Sequence, residues 1–192
     1  MRAKSLLKKR LPQKSQKNKC LEGMGFVGSA ITIRRYRQGE EAEIKGMITS
    51  IMTKEYGDDV AAYPASDIDD LSTSYGGLGE AFFVALDQNK IVGTVGIKKE
   101  DDRIALLRRL FVIEPYRSRK IGLELINHAL QFCYEVGYDE VIFKTTSKMT
   151  SAIQLCKKRG FVQRAKLKIG AIELLRFALS LRNGVKSSPV SA

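Results

Sequence analysis

The period of the apolar positions changes several times along the chain, and each change marks an element. In Ile31 to Arg37, Ile31, Ile33 and Arg35 alternate and the residues are β-branched, which predicts a first strand. Ile44, Met47, Ile48, Ile51 and Met52 then recur at spacings of three and four, so Glu40 to Tyr56 reads as an amphipathic helix that Gly57 stops. Pro64 and Ser66 open a shorter helical stretch over Asp67 to Tyr75, closed by Gly76-Gly77-Leu78-Gly79. That glycine cluster follows no strand and is not a dinucleotide fingerprint.

Ala81 to Asp87, Ile91 to Lys98 and Arg103 to Ile113 read as three antiparallel strands, joined through Gln88-Asn89-Lys90 and Asp101-Asp102. After Pro115, Ile121, Leu125, Ile126, Ala129, Leu130 and Cys133 make a continuous helical stripe, with His128 off it. Glu140 to Thr146 is a further strand, which makes the connection across that helix a right-handed parallel crossover. A helix over Thr150 to Arg159 ends at Gly160, and Val162 to Leu181 forms a final hairpin through Gly170-Ala171. The order predicts one mixed α/β domain, about seven strands flanked by about four helices, over residues 30–182.

Length agrees, because 192 residues with 44% apolar content support one core and its tails. No apolar run approaches the roughly 18 residues a membrane-spanning helix needs. Cys20, Cys133 and Cys156 are widely spaced and His128 is the single histidine, which leaves too few ligands for a zinc site and fits a reducing, cytoplasmic setting. No metal is expected. Of the net charge of +12, residues 1–23 carry +7 from eight Lys/Arg and one acid. This basic stretch, within residues 1–29, reads as a disordered tail or as sequence upstream of a true start at Met24, and residues 183–192 as a second frayed end. A nucleic-acid-binding arm is the rival reading of the first tail, and it ranks last because no aromatics are interleaved with the charges.

The chemistry concentrates in Leu107 to Gly122, LRRLFVIEPYRSRKIG. A strand running into a helix through a basic loop points the helix's first amides at whatever lies above the sheet, and the helix dipole with Arg117, Arg119 and Lys120 suits them to a diphosphate. The alternative is a solvated basic turn. Beyond charge, the run L-R-R-L-F-V-x-x-P-x-R-x-x-x-x-G resembles the acyl-CoA signature of the GNAT superfamily of N-acyltransferases, whose core pattern is R/Q-x-x-G-x-G/A. Ala152-Ile153-Gln154-Leu155-Cys156-Lys157-Lys158-Arg159-Gly160-Phe161 resembles that family's A-x-x-L-Y-x-x-x-G-F helix end, and Lys90-Ile91-Val92-Gly93 its I-V-G strand entry.

The resemblance implies an acetyl-CoA-dependent N-acetyltransferase that acts on an amine acceptor, as a monomer or homodimer. It places the coenzyme pyrophosphate on the amides of Arg117, Ser118, Arg119, Lys120, Ile121, Gly122 and Leu123. Leu110, Phe111 and Val112 would pair with the pantetheine arm, and the Val112 amide would polarise the thioester. Three departures stand out. Lys120 replaces the middle glycine and Ser118 another glycine, so a positive φ at Lys120 would strain the loop. Cys156 stands where many members have a tyrosine general acid; a buried packing residue is the other reading, and His128 is badly placed to make it a nucleophile. Leu106 stands where relatives often carry a glutamate base, leaving Glu114 and Glu173 as candidates. Five aspartates between 58 and 70 could attract a cationic amine. A non-catalytic acyl-CoA sensor remains an alternative.

Overall fold

The computed structural model describes residues 31–182, so both expected tails and Cys20 lie outside the described residues. Its element order is β1 (Ile31–Arg35), α1 (Glu41–Glu55), α2 (Ser66–Asp69), α3 (Leu71–Tyr75), β2 (Ala81–Asp87), β3 (Lys90–Lys99), β4 (Ile104–Val112), α4 (Ile121–Val136), β5 (Glu140–Thr146), α5 (Thr150–Lys158), β6 (Val162–Ile169) and β7 (Ile172–Ser180). Short 3-10 turns at Gly57–Ala62 and Glu114–Tyr116 connect them. The seven strands form one sheet in the order β1-β2-β3-β4-β5-β7-β6, antiparallel except where β4 meets β5. The mixed α/β architecture, the three-strand meander, the parallel crossover and the final hairpin match the expectation.

The helical candidate over Asp67 to Tyr75 is corrected. Asp70 leaves helical geometry and its side chain accepts from the Thr73 amide, capping α3 and splitting the stretch into two short helices.

Two cores sit on opposite faces of the sheet. On one, Ile44, Ile48, Ile51 and Met52 of α1, with Leu71 and Tyr75 of α3, pack on Phe82, Val84, Leu86, Ile91 and Phe111. On the other, the α4 stripe Ile121, Leu125, Ile126, Ala129 and Cys133 packs on Phe83, Val95, Leu107, Val141, Phe143 and Phe177. Each such large side chain contributes about 1.5–3 kcal/mol by leaving water. Gly137 closes α4 at φ 93°, its amide bonding back to Cys133 and Tyr134 carbonyls, a turn that suits glycine.

One irregularity organises the centre. Across β3 and β4, Thr94 opposes Phe111 and Gly96 opposes Arg108, so Arg109 and Leu110 face a single residue of β3. Arg109 takes φ 53° at this bulge, and the Thr94 hydroxyl donates to its carbonyl at 2.8 Å. Beyond it β4 parts from β5: pairing runs from Ile104/Glu140 to Leu107/Phe143 and stops, while β4 continues to Val112 and β5 to Thr146. The sheet therefore opens between two parallel strands.

Candidate functional site

Two cavities meet at this opening. One, of about 540 Å³, is lined by Leu110, Phe111, Val112, Tyr116, Arg117, Ser118, Lys120, Ile121, Gly122 and Leu123, with Tyr56 and α5 residues opposite. The other, of about 490 Å³, lies over β4, β5 and the β6–β7 hairpin. Leu110, Phe111, Met149 and Ala152 border both.

The first cavity gathers most of the loop residues expected from sequence. Lys120 sits at φ 64° and Ser118 at φ 62°, so two residues that replace glycines both adopt the left-handed conformation. Lys120 precedes α4 with no side-chain cap on the helix. The Leu123 and Glu124 amides both bond to the Lys120 carbonyl at 2.9 and 3.0 Å. The first-turn donors that face the loop are then Ile121 and Gly122, while the Leu123 amide is used inside the turn and the residue still borders the cavity. Gly122 brings α4 against α5, since a Cβ there would stand 2.8 Å from the Leu155 side chain.

The Arg119 side chain lies outside this cavity. Its guanidinium stacks over Tyr116 at 4.9 Å and borders a separate depression with Ile31 and Ile33. Arg117 borders the cavity, but its side chain is engaged. Nε donates to the Val112 carbonyl at 3.0 Å and Nη2 to Glu55 at 2.6 Å, tying the end of α1 to the end of β4.

Val112 itself is oriented by the ladder. The Ile113 amide donates to the Val92 carbonyl across β3, so Ile113 and Val92 are a bonded pair. Bonded and non-bonded pairs alternate in antiparallel strands, so Val112, opposite Gly93, turns its N–H and C=O away from β3. They face the gap that β5 has left, where Arg117 already takes the carbonyl and the N–H is directed at the opening.

The expected acid and base do not join the site. Cys156 is fully buried in the core under α5 and borders neither cavity, and burial pushes its thiol up to about 12. Its burial in the core, away from both cavities, fits the packing reading of this position. Glu114 is exposed in the 3-10 turn and borders neither cavity. Glu173 pairs with Lys166 at 2.5 Å and its carboxyl is held below the usual range by that bond. Leu106 does border the second cavity, at the position expected for a carboxylate.

The five aspartates are engaged elsewhere. Asp58 and Asp59 pair with Lys148, Asp69 with Lys45, Asp70 caps α3, and Asp67 is buried beside Arg109. Sequence reasoning missed what replaces them. Arg108, Arg109, Lys144, Lys166 and Arg176 border the second cavity, and among the described residues no Asp or Glu does. Arg108 was visible in the run L-R-R-L; its placement beside Lys144 required the strand register. Among the described residues no group of acids, cysteines and histidine is arranged to hold a metal, and no helix is long and apolar enough to cross a membrane.

Comparison with known proteins agrees with this fold. The family model described as Acetyltransferase (GNAT) family matches residues 45–161. N-acetyltransferase 8 of Homo sapiens is 35% identical over 102 residues, which are 50% of this chain and 45% of that protein. The chain thus spans about half the length of the curated relatives it matches. Among solved structures, an acetyltransferase of the GNAT family from Staphylococcus aureus Mu50 superposes with TM-score 0.69 at 25% identity, over 80% of this chain and all of that one. An acetyltransferase from Salmonella typhimurium with its cofactor acetyl-CoA superposes with TM-score 0.61 at 16% identity, over 85% and 99% of the two chains.

Proposed function

The chain belongs to the GNAT acetyltransferase family, and from that premise we propose that it transfers the acetyl group of acetyl-CoA to a primary amine by direct attack within a ternary complex. The observation that carries the reading is the opening between β4 and β5, with the Val112 N–H aimed into it and a left-handed basic loop leading to the α4 N-terminus at one end.

The residues present fit the coenzyme. The Ile121 and Gly122 amides and the Lys120 charge hold the pyrophosphate, favoured by the helix dipole. Leu110, Phe111 and Val112 offer strand-like pairing to the amide-rich pantetheine arm. Arg117 supports them by fixing the end of β4 through the Val112 carbonyl. Bound acetyl-CoA supplies a thioester, an activated acyl carbon with a thiolate leaving group. The Val112 N–H donates to the carbonyl oxygen, where negative charge grows as the amine nitrogen bonds to carbon. The carbon–sulfur bond then breaks and sulfur leaves with the electron pair.

No carboxylate among the described residues lines the reaction space, so the amine enters unprotonated and its surplus proton passes to water. The surrounding cations favour that neutral form. Neither Cys156 nor Glu114 takes part, and catalysis rests on positioning and backbone polarisation.

The test is to supply the protein with acetyl-CoA and a set of primary amines, following free thiol and the acetylated product by mass spectrometry. Acetylated amine with no acetyl-protein intermediate is the expected outcome. Saturable acetyl-CoA binding without transfer to any amine would support a binding protein of the same fold instead.

A further inference from the structure

The second cavity has a charge pattern that the transfer reaction does not require. Arg108 on β4, Lys144 on β5 and Arg176 on β7 stand in a row across three adjacent strands. Lys144 is the direct cross-strand partner of Arg176, and Leu107 pairs with Phe143 one residue before Arg108 and Lys144. Their companions Leu107, Val141, Phe143 and Phe177 pack on the α4 face, so strand alternation turns Arg108, Lys144 and Arg176 to the opposite face, which the cavity occupies.

Like charges directly opposite on a sheet destabilise it, and each member of this row has an acid partner outside the cavity. The acids near it flank it from the side. Glu100 reaches Lys144 at 2.7 Å, Glu140 reaches Arg176 at 3.5 Å, and Asp67 reaches only Nε of Arg108, at 3.5 Å. None of these acids lines the cavity. The half-buried Leu106 sits beside the row, and Tyr63, Phe111, Met149 and Leu174 give the remaining wall an apolar and aromatic character.

Resting on the proposed transfer, we infer that the acceptor is a small amine carrying a carboxylate, an amino acid or a close derivative. Its carboxylate is held by Arg108, Lys144 and Arg176, and its amine is directed at the opening by Val112. A guanidinium meets a carboxylate with two parallel hydrogen bonds, which fixes orientation as well as charge. The same row repels polyamines and other acceptors whose only charges are positive.

The test offers the full-length protein acetyl-CoA with L-leucine, L-phenylalanine and L-aspartate, with leucinamide and phenylalaninamide, and with putrescine. Acetyl-CoA affinity is measured separately. Counted per unprotonated amine, the amino acids are expected to exceed their amides by about tenfold or more in kcat/KM, because the amides leave the cationic row unmatched. Lys144→Gln and Arg176→Gln, both at partly exposed positions, should erase most of that preference by raising KM for the amino acids while acetyl-CoA affinity is kept. Equal rates on acids and amides, preference for putrescine, an unchanged preference in both variants, or binding of acetyl-CoA with no turnover of any amino acid would overturn this inference and leave the coenzyme site standing. Failure to bind acetyl-CoA at all would overturn the reading beneath it.

Discussion

Arg109, in the left-handed region at the β4 bulge, is buried against Asp67 of α2, 42 residues earlier in the chain. The guanidinium reaches both carboxylate oxygens and the Pro64 carbonyl, and the Tyr75 hydroxyl donates to Asp67 at 2.5 Å. The bulge turns Arg109 to the side that Arg108 already faces, and the Arg108 Nε also faces Asp67. One carboxylate thus pins α2 and α3 onto the irregular part of β4 that opens the site.

Removing that carboxylate strands a buried cation. Asp67→Asn is expected to destabilise the fold by about 3–5 kcal/mol, measured by urea unfolding. Burial alone would raise the Asp67 pKa, but hydrogen bonds from Arg109 and Tyr75 and the nearby positive charges hold it below the ordinary value. Near pH 4 the folded chain therefore binds fewer protons here than the unfolded chain. This stabilisation is complete above the unfolded carboxylate pKa of about 3.9 and is lost as pH falls through the folded value. The gap between wild type and Asp67→Asn should narrow below about pH 4.

Lys120→Gly separates conformation from charge. At φ 64° the lysine is strained and glycine is not, so stability should rise by about 1 kcal/mol. Acetyl-CoA affinity should fall by about threefold to tenfold, because a phosphate loses its partner. Paired denaturation and binding curves show whether the two effects take opposite signs.

Cys156→Ala should leave kcat/KM within about twofold of wild type, whereas loss of a general acid would reduce it by about a hundredfold or more. The expected cost is about 1 kcal/mol of stability from lost packing. In the native protein both Cys133 and Cys156, buried with thiols pushed up to about 12, should resist iodoacetamide until the chain unfolds.

With no carboxylate among the described residues lining the cavities, the pH dependence should belong to the acceptor. The logarithm of kcat/KM is expected to climb with unit slope up to the pKa of the amine supplied and to move with that pKa when a different amine is used. A plateau fixed near neutrality for every amine would reveal a base on the protein.

The element order was legible because Ile44 to Met52 and Ile121 to Cys133 repeat at helical spacing and β2 to β4 alternate with turn signals. The loop strain at Lys120 was legible too, since a side chain stands where the related pattern has glycine. Less legible was anything set by one residue's local geometry. Asp70 splits a stretch that composition reads as one helix, and the Leu123 amide is used by a tight first turn. The row of Arg108, Lys144 and Arg176 depends on the register of three strands separated in sequence, and no residue type announces the bulge at Arg109. Cys156 could be placed on its helix but not on a face, because a thiol suits either the core or a cavity equally well.

The most direct test of the account is calorimetric titration of acetyl-CoA into the full-length protein and into Arg117→Glu. That substitution sets two acids side by side at Glu55 and releases the Val112 carbonyl. One saturable site in wild type, weakened at least about tenfold in the variant, is the predicted result. No saturable binding, or binding that Arg117→Glu leaves unchanged, would contradict a coenzyme site built on the end of β4 and the loop before α4.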